Sequence, residues 1–125
     1  MVRVRKETFM GNIRNAVIDY VSLGREDHGI MTFYIGLRSG SYGVVVGGYA
    51  LDEYNELLNK RVVHPKSMEL ITRILEVVGV DKWEDLVGKY IRYVDHGLGH
   101  TVYEIGNIFE DEWLNLRMFF KEERN

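Results

Sequence analysis

The chain contains no cysteine. Disulfide bonds, thiol nucleophiles and zinc–thiolate sites are therefore excluded together, and the composition fits a reducing compartment. The charged opening, Met-Val-Arg-Val-Arg-Lys, is followed by no apolar run, so we expect no secretory signal. No stretch approaches the roughly 20 apolar residues that a membrane-spanning helix needs. We therefore expect a cytoplasmic protein with no membrane partner.

An excess of basic residues is also missing. The 16 Lys and Arg residues are outnumbered by 19 Asp and Glu residues, which gives a net charge of −3. No global positive field is present to drive nonspecific binding to nucleic acid. Apolar residues make up 46% of the 125 residues. That fraction predicts one folded domain over residues 1–125, with loose ends at residues 1–8 and 121–125.

Proline is scarce too, and the single one, Pro65, separates two kinds of sequence pattern. Before it, residues 13–23, 30–38 and 42–50 are rich in Ile, Val and Tyr and are separated by turn-forming residues. These segments predict three strands of an antiparallel meander. Strict alternation in the first strand predicts that one face carries Ala16, Ile18, Tyr20 and Ser22.

After Pro65 the apolar period changes from that of a strand to that of a helix. The spacing predicts a helix that Ser67 caps at its start and Gly79 ends. The preceding residues, 51–60, fit either a short helix or a long loop. The buried stripe of the main helix is predicted to consist of Met68, Ile71, Ile74, Leu75 and Val78.

The remaining residues predict a short helical turn and a second hairpin. Residues 81–84 have the form of a capping box, so we expect a turn that directs three apolar side chains inward, Trp83, Leu86 and Val87. Residues 89–95 and 101–109 then alternate as two strands around a turn at residues 96–100. The aromatic tail from Glu110 onward is expected to pack in part. The order β-β-β-(α)-α-α-β-β predicts an α+β fold, with an antiparallel sheet or small open barrel and its helices on one side.

No catalytic or cofactor signature is complete. Gly97-Leu-Gly99 lacks the third glycine of a dinucleotide fingerprint, and Gly88-Lys89 precedes Tyr90 in place of the Ser or Thr of a phosphate loop. His96 and His100 lie in a turn and not on one helix face, so we predict no metal site. No serine lies in a nucleophile elbow. The sequence therefore predicts a non-enzymatic protein without a cofactor.

Glycine, tyrosine and arginine provide the strongest functional signal. Residues 36–49 concentrate glycine inside an apolar, β-branched run. Such a cluster is typical of a surface that receives a ligand, and equally of a tightly turned hairpin. Guanidinium groups bind phosphate, and tyrosine rings stack on nucleobases. We therefore predict that this segment and the second hairpin form one ligand site with the residues Arg38, Tyr42, Tyr49, Arg92 and Tyr103.

Three segments carry a resemblance to a known family. They are Val46-Gly-Gly-Tyr-Ala-Leu-Asp52, the run from Ile74 that ends in Trp-Glu-Asp-Leu-Val-Gly-Lys89, and Ile105-Gly-Asn-Ile-Phe-Glu-Asp-Glu-Trp113. Together they resemble a group of short accessory proteins encoded by tailed phages and prophages, over most of the chain from Asp27 onward. The resemblance assigns no catalytic residues. It implies a small binding protein that acts in the cytoplasm of the host cell.

Three functions are consistent with these observations. The first is a phage accessory protein that binds a small anionic or nucleotide-like ligand and sequesters a host immune signal. The second is an accessory protein for single-stranded nucleic acid in replication or recombination, which would use the same aromatic residues along an open groove. The third is an inhibitor that binds a host protein through the aromatic tail. We also expect a homo-oligomer, because the first strand is apolar on both faces.

Overall fold

The computed structural model of the chain describes residues 11–26 and 28–124. The loose end expected at residues 1–8 lies outside the described residues, as does Asn125. The elements, in chain order, are β1 (Asn12–Glu26), β2 (Ile30–Ser39), β3 (Tyr42–Gly47), β4 (Asp52–Asn55), β5 (Lys60–Val63), α1 (Ser67–Val78), a 3₁₀ turn (Trp83–Leu86), β6 (Tyr90–Asp95), β7 (Glu104–Asn107), β8 (Trp113–Asn115) and α2 (Leu116–Arg124).

Within the described residues, six strands form one sheet in the order β3-β2-β1-β6-β7-β8, and β4 and β5 form a separate hairpin. Every neighbouring pair of strands is antiparallel. The sheet stays open, which confirms the predicted α+β class with an antiparallel sheet and decides against a barrel. The 15-residue β1 pairs with β6 at its start and with β2 over the rest of its length. It thereby joins the first half of the sheet (β1–β3) to the second half (β6–β8).

The helices cover one face of the sheet, as predicted. α1 contacts β7 and β8, the 3₁₀ turn contacts β1, and α2 contacts β8. We call this side the core face and the other side the opposite face. The core face carries the buried apolar residues of the strands, which include Ala16, Ile18, Phe33, Ile35, Leu37, Ile91, Tyr93 and Ile105.

A β-bulge in β1 interrupts the strict alternation predicted for that strand. The pairing with β2 shifts between Ile18 and Tyr20, so Asp19 is an extra residue. Ile18 is fully buried in the core, whereas Tyr20 lies on the opposite face and is 46% exposed. The predicted grouping of Ala16, Ile18, Tyr20 and Ser22 on one face is therefore wrong beyond the bulge.

Residues 51–60 form neither the short helix nor the long loop that the sequence suggested. β4 and β5 pair here around a turn in which Asn59 has a φ of 56°. A buried carboxylate fixes this hairpin, because Asp52 accepts from Arg61 at 2.8 Å and from the backbone N–H of Met31 at 3.2 Å. The hydrogen bond from Arg61 holds the pKa of Asp52 below its usual value. Each strand has only four residues, which is too few to show an apolar period.

α1 is present as predicted, but its start and its buried stripe differ from expectation. Gly79 ends the helix with a φ of 91° and donates its N–H to the carbonyl of Leu75 at 2.8 Å. Ser67 is not the cap, because its hydroxyl donates to the carbonyl of Leu51. Met68 is 68% exposed, since it lies about 120° around the helix from the fully buried Ile74. The apolar residues buried along α1 are Leu70, Ile71, Ile74, Val77 and Val78.

The 3₁₀ turn directs two of its three predicted side chains inward. Leu86 is fully buried and Trp83 packs against the core, but Val87 is 49% exposed, contrary to prediction. The chain is extended at Val87, and Gly88, with a φ of 95°, turns it into β6. The N–H of Gly88 donates to the carbonyl of Ile18 at 2.7 Å, which fixes the segment to β1.

The end of the chain contains more regular structure than predicted. The strand expected over residues 101–109 is confined to β7, and β8 and α2 follow it. Residues 121–124, which were expected to fray, belong to α2. Phe119 and Phe120 pack against the core, and Trp113 is only 8% exposed. The aromatic tail therefore packs in part, as predicted: Trp113 is buried, and Phe119 and Phe120 are partly buried.

Candidate functional site

The residues predicted to bind a ligand do not all meet in one place. Arg38 lies on β2 and Arg92 on β6, with β1 between these strands. Arg38 pairs with Val17 of β1, and Arg92 pairs with Asn15 of β1. Because Val17 and Asn15 are two residues apart, both arginines lie on the same face of the sheet, which is the opposite face. Two strand spacings across the sheet and two residues along it place the backbones of the two arginines about 12 Å apart. Arg38 forms an exposed ion pair with Asp19 at 3.5 Å.

The guanidinium of Arg92 is bound within the chain. Its Nε donates to the carbonyl of Asn107 at 2.7 Å, and its Nη2 donates to the carbonyl of Glu110 at 2.8 Å. The same group lies over the indole of Trp113, 4.9 Å from the ring centroid. These contacts fix the turn between β7 and β8 against β6.

Tyr42 borders a hollow of about 340 Å³ at one end of the core face. Asp95 lies in this hollow and accepts from Nε of Arg14 at 2.6 Å and from the N–H of Gly97 at 2.8 Å. The bond from Gly97, and then the bond from Arg14, hold the pKa of Asp95 below its usual value. The charges of Arg14 and Asp95 thus neutralise each other.

Tyr49 and Tyr103 are the two predicted residues that the fold brings near a common cation. The guanidinium carbon of Arg117 lies 4.0 Å from the ring centroid of Tyr103. Burial raises the pKa of Tyr49, and the positive charge of Arg117 opposes part of that rise. The ring of Tyr49 stacks on Phe120 with 4.9 Å between centroids. α2 therefore supplies both an arginine and an aromatic ring to this side of the molecule.

A cleft of about 260 Å³ lies beside Arg117, and we call it the His–Tyr–Arg cleft. The turn between β6 and β7 supplies its histidines, with φ values of 105° at Gly97 and 80° at Gly99. The N–H of Leu116 donates to the carbonyl of Tyr103 at 2.8 Å, which holds the start of α2 against the start of β7. The cleft is lined by His96, His100, Thr101, Tyr103 and Arg117.

The His–Tyr–Arg cleft offers positive and hydrogen-bonding groups. The imidazole of His96 lies parallel to the ring of Tyr103, 5.1 Å away between centroids. Nε2 of His96 is buried and has no hydrogen-bond partner among the residues that the structure describes. No carboxylate within residues 11–26 and 28–121 forms an ion pair with Arg117. Within residues 11–26 and 28–124, no three His, Asp or Glu side chains are arranged to hold a metal ion.

The motif residues between Ile105 and Trp113 have structural roles. Gly106 lies opposite Trp113, and an added Cβ would stand 2.6 Å from the indole ring. The side chain of Asn107 donates to the carbonyl of Val77 at 2.8 Å and accepts two backbone N–H bonds from the following turn. Asp111 accepts from Nε1 of Trp113 at 2.9 Å. This segment therefore joins the end of α1 to β7 and β8.

The Gly-Gly-Tyr motif is explained in the same way. Gly47 and Gly48 have φ values of 120° and 85°, which turn the chain away from β3. Tyr49 then packs on the core, and Leu51 is buried beside it. The motifs that carry the family resemblance thus lie largely at turns and packing contacts.

A second contact between glycine and an aromatic ring lies in the first half of the sheet. Gly36 pairs with Tyr20 across β1 and β2, and a Cβ at Gly36 would overlap the tyrosine ring. Both glycine–aromatic contacts are on the opposite face. Packing against Tyr20 therefore explains one glycine of the glycine-rich segment without a ligand.

Comparison with protein-family models, with curated proteins and with solved structures gives no match to this chain. In the part of the chain that the structure describes, neither helix has the length and apolar character needed to cross a membrane.

Proposed function

We propose that this protein is a non-catalytic binder of a small anionic ligand, held in the His–Tyr–Arg cleft. The observation that carries the proposal is the position of Arg117. Its guanidinium lies 4.0 Å from the centroid of the Tyr103 ring, beside two histidines, and pairs with no described carboxylate. A guanidinium in this setting favours a phosphate or carboxylate group, which it can contact at two points.

The contacts of Tyr103 narrow the class of ligand. Its ring is contacted both by the guanidinium of Arg117 and by the imidazole of His96. Cation–π contact orients the guanidinium before a ligand arrives. The cleft volume, about 260 Å³, is below the range of about 300–1,000 Å³ that encloses drug-sized molecules. We therefore expect the anionic group to be held and the rest of the ligand to extend outside.

The phage resemblance extends this proposal to a biological role. The phosphate-bearing ligands of the host cytoplasm include the nucleotide signals that are used in antiviral defence. Stoichiometric binding without turnover would lower the free concentration of such a signal. Sequestration of a nucleotide-derived signal is consistent with the anion-binding groups of the cleft and with the resemblance to phage accessory proteins.

Titration of the wild-type protein and two arginine variants tests the proposal. The probes are inorganic phosphate and a cyclic mononucleotide, and binding is measured by calorimetry. Loss of a charge-assisted hydrogen bond costs about 1.5–3 kcal/mol, so Arg117→Ala should weaken binding by roughly tenfold to a hundredfold. Arg38→Ala is the matched control, because Arg38 is also an exposed arginine but lies on the opposite face.

The melting temperature of each variant is measured alongside, since Arg117 is exposed and its loss should leave folding nearly unchanged. Equal binding by the wild type and Arg117→Ala would contradict the proposed site. A wild type that binds neither probe would contradict the proposed ligand class.

A second function has one specific observation in its favour. On the opposite face, Tyr20 is 46% exposed and Tyr90 is 61% exposed, and Arg38 lies in the same row as Tyr90. Exposed rings on an open sheet can stack on the bases of a single strand. Length-dependent binding of oligonucleotides, with a steep salt dependence and a loss in Tyr90→Ala, would favour this function over the first.

A further inference from the structure

Among the residues that the structure describes, no strand lies beyond the outer edge of β3. Within that part of the chain, β3 is the last strand of the sheet on its side and pairs with β2 alone. Natural edge strands are usually blocked by lysine, proline, a bulge or short length. β3 has six residues, Tyr-Gly-Val-Val-Val-Gly, with no charge and no proline. Its register with β2 has no shift, and its last residue, Gly47, has a φ of 120°. The other edge strand, β8, has only three residues and leads directly into α2.

The turn before β3 determines which of its backbone groups face outward. Gly40 and Ser41 form a two-residue connection, so the flanking pair Ser39 and Tyr42 exchanges both backbone hydrogen bonds. Alternation along an antiparallel strand then directs the groups of Val44 and Val46 toward β2. The N–H and C=O groups of Gly43, Val45 and Gly47 point away from the sheet.

The three residues whose backbone groups point outward are Gly43, Val45 and Gly47. Their order, Gly-Val-Gly, is symmetric about Val45. We infer that β3 pairs with β3 of a second copy of this chain, antiparallel, across a twofold axis at Val45. In that register Gly43 lies opposite Gly47 of the other copy, and Val44 lies opposite Val46. An isologous contact requires a surface that is complementary to itself, and this edge meets that condition.

The side chains of the edge fit the same arrangement. Val45 is 49% exposed on the opposite face and would meet its own symmetry copy about 5.5 Å away between Cα atoms. Gly43 and Gly47 have no side chains to obstruct the approach of the second strand. The sheet would then continue across both copies. This inference concerns the edge of β3 and is independent of the ligand proposed for the His–Tyr–Arg cleft.

Mass measurement of the wild type and two valine variants tests the inference. Light scattering over a range of concentrations should give twice the chain mass of 14.6 kDa for the wild type. Val45→Lys places two like charges opposite each other at the axis and should give the mass of one chain. Val87→Lys is the matched control, because Val87 is also 49% exposed but lies outside the sheet, and it should keep the doubled mass.

Amide hydrogen exchange of the wild type tests the register even if a lysine variant fails to fold. The N–H groups of Gly43, Val45 and Gly47 should exchange more slowly at high concentration than at low concentration, while those of Val44 and Val46 should change little. A wild type that has the mass of one chain throughout would overturn the inference. So would a doubled mass that persists in a folded Val45→Lys variant, or exchange at Val45 that does not depend on concentration.

Discussion

The two halves of the sheet contain the same kind of glycine–aromatic contact, but the exposure of the ring differs between them. In each half, a glycine on the opposite face lies beneath the aromatic ring of a neighbouring strand: Gly36 beneath Tyr20, and Gly106 beneath Trp113. The ring of Tyr20 is 46% exposed, whereas Trp113 is 8% exposed. The aromatic ring of this contact is therefore half-exposed in the first half and buried in the second.

The difference shows how each half is held together. Strands β1, β2 and β3 follow one another through short turns, so backbone pairing between chain neighbours accounts for their order. The second half is held by side chains that reach distant backbone. Arg92 contacts Trp113 and the carbonyls of Asn107 and Glu110, and Asn107 in turn contacts the end of α1. Side-chain substitutions should therefore have larger effects in the second half than in the first.

The largest effect is expected at the two aromatic rings. Trp113→Ala removes a buried indole and should lower the free energy of unfolding by about 3–5 kcal/mol. Tyr20→Ala removes a half-exposed ring and should cost about 1 kcal/mol, in proportion to the smaller buried area. Urea denaturation measures both. An equal decrease in the free energy of unfolding in the two variants would show that the two halves do not differ in this way.

The arginines should differ in the same direction by a smaller amount. Arg92→Ala breaks two hydrogen bonds from a charged donor to backbone carbonyls and should cost about 1.5–3 kcal/mol. Arg38→Ala breaks an exposed ion pair and should cost at most about 1 kcal/mol. The measurement is again the free energy of unfolding. If Arg92→Ala unfolds at the same urea concentration as the wild type, its contacts with the turn do not contribute to stability.

Acid should reveal a smaller contrast between two carboxylates, Asp52 beside the first half and Asp95 at the end of β6. Both have a pKa held below the ordinary value of 3.8, chiefly by hydrogen bonds from Arg61 and from Gly97 respectively. Each therefore stabilises the fold above pH 3.8, and this contribution is lost as the pH falls through the lowered pKa of the folded state.

Replacing either carboxylate by an amide should make stability depend less on pH in acid. The side chain of Asp52 is 6% exposed and that of Asp95 is 16% exposed, so Asp52→Asn should flatten the curve more than Asp95→Asn. Urea unfolding at a series of acidic pH values provides the comparison. A steeper loss of stability in acid for Asp52→Asn than for the wild type would contradict the expected direction of the effect.

The sequence predicted the first half of the sheet better than the second for a physical reason. Turn residues next to each strand signal β1, β2 and β3 locally, and these elements are confirmed. β8 has three residues, too few to show any period, and it forms because Gly106 leaves room for Trp113. β4 and β5 were not predicted because each strand has only four residues. Only the tertiary fold distinguishes them from loop.

The candidate site was predictable only in part. Tyr49 and Tyr103 were named from the sequence, and the fold places both near Arg117. No local signal could identify Arg117, because its contact with Tyr103 depends on α2 docking beside β7. Arg92 had the same local pattern as a ligand-binding arginine, but tertiary contacts engage it within the chain. Whether Arg38, Tyr42 and Arg92 contact a ligand stays a prediction.

The bulge in β1 makes one position tolerant to a change in chain length. Without Asp19, the residues on either side would alternate without interruption, so Ile18 and Val21 would keep their faces. The strand would lose curvature, and Arg38 would lose its ion-pair partner. Deletion of a single residue from the middle of β2 would instead move the side chains of the rest of that strand to the other face of the sheet. Natural variants with a one-residue gap inside β1 should therefore carry that gap at Asp19.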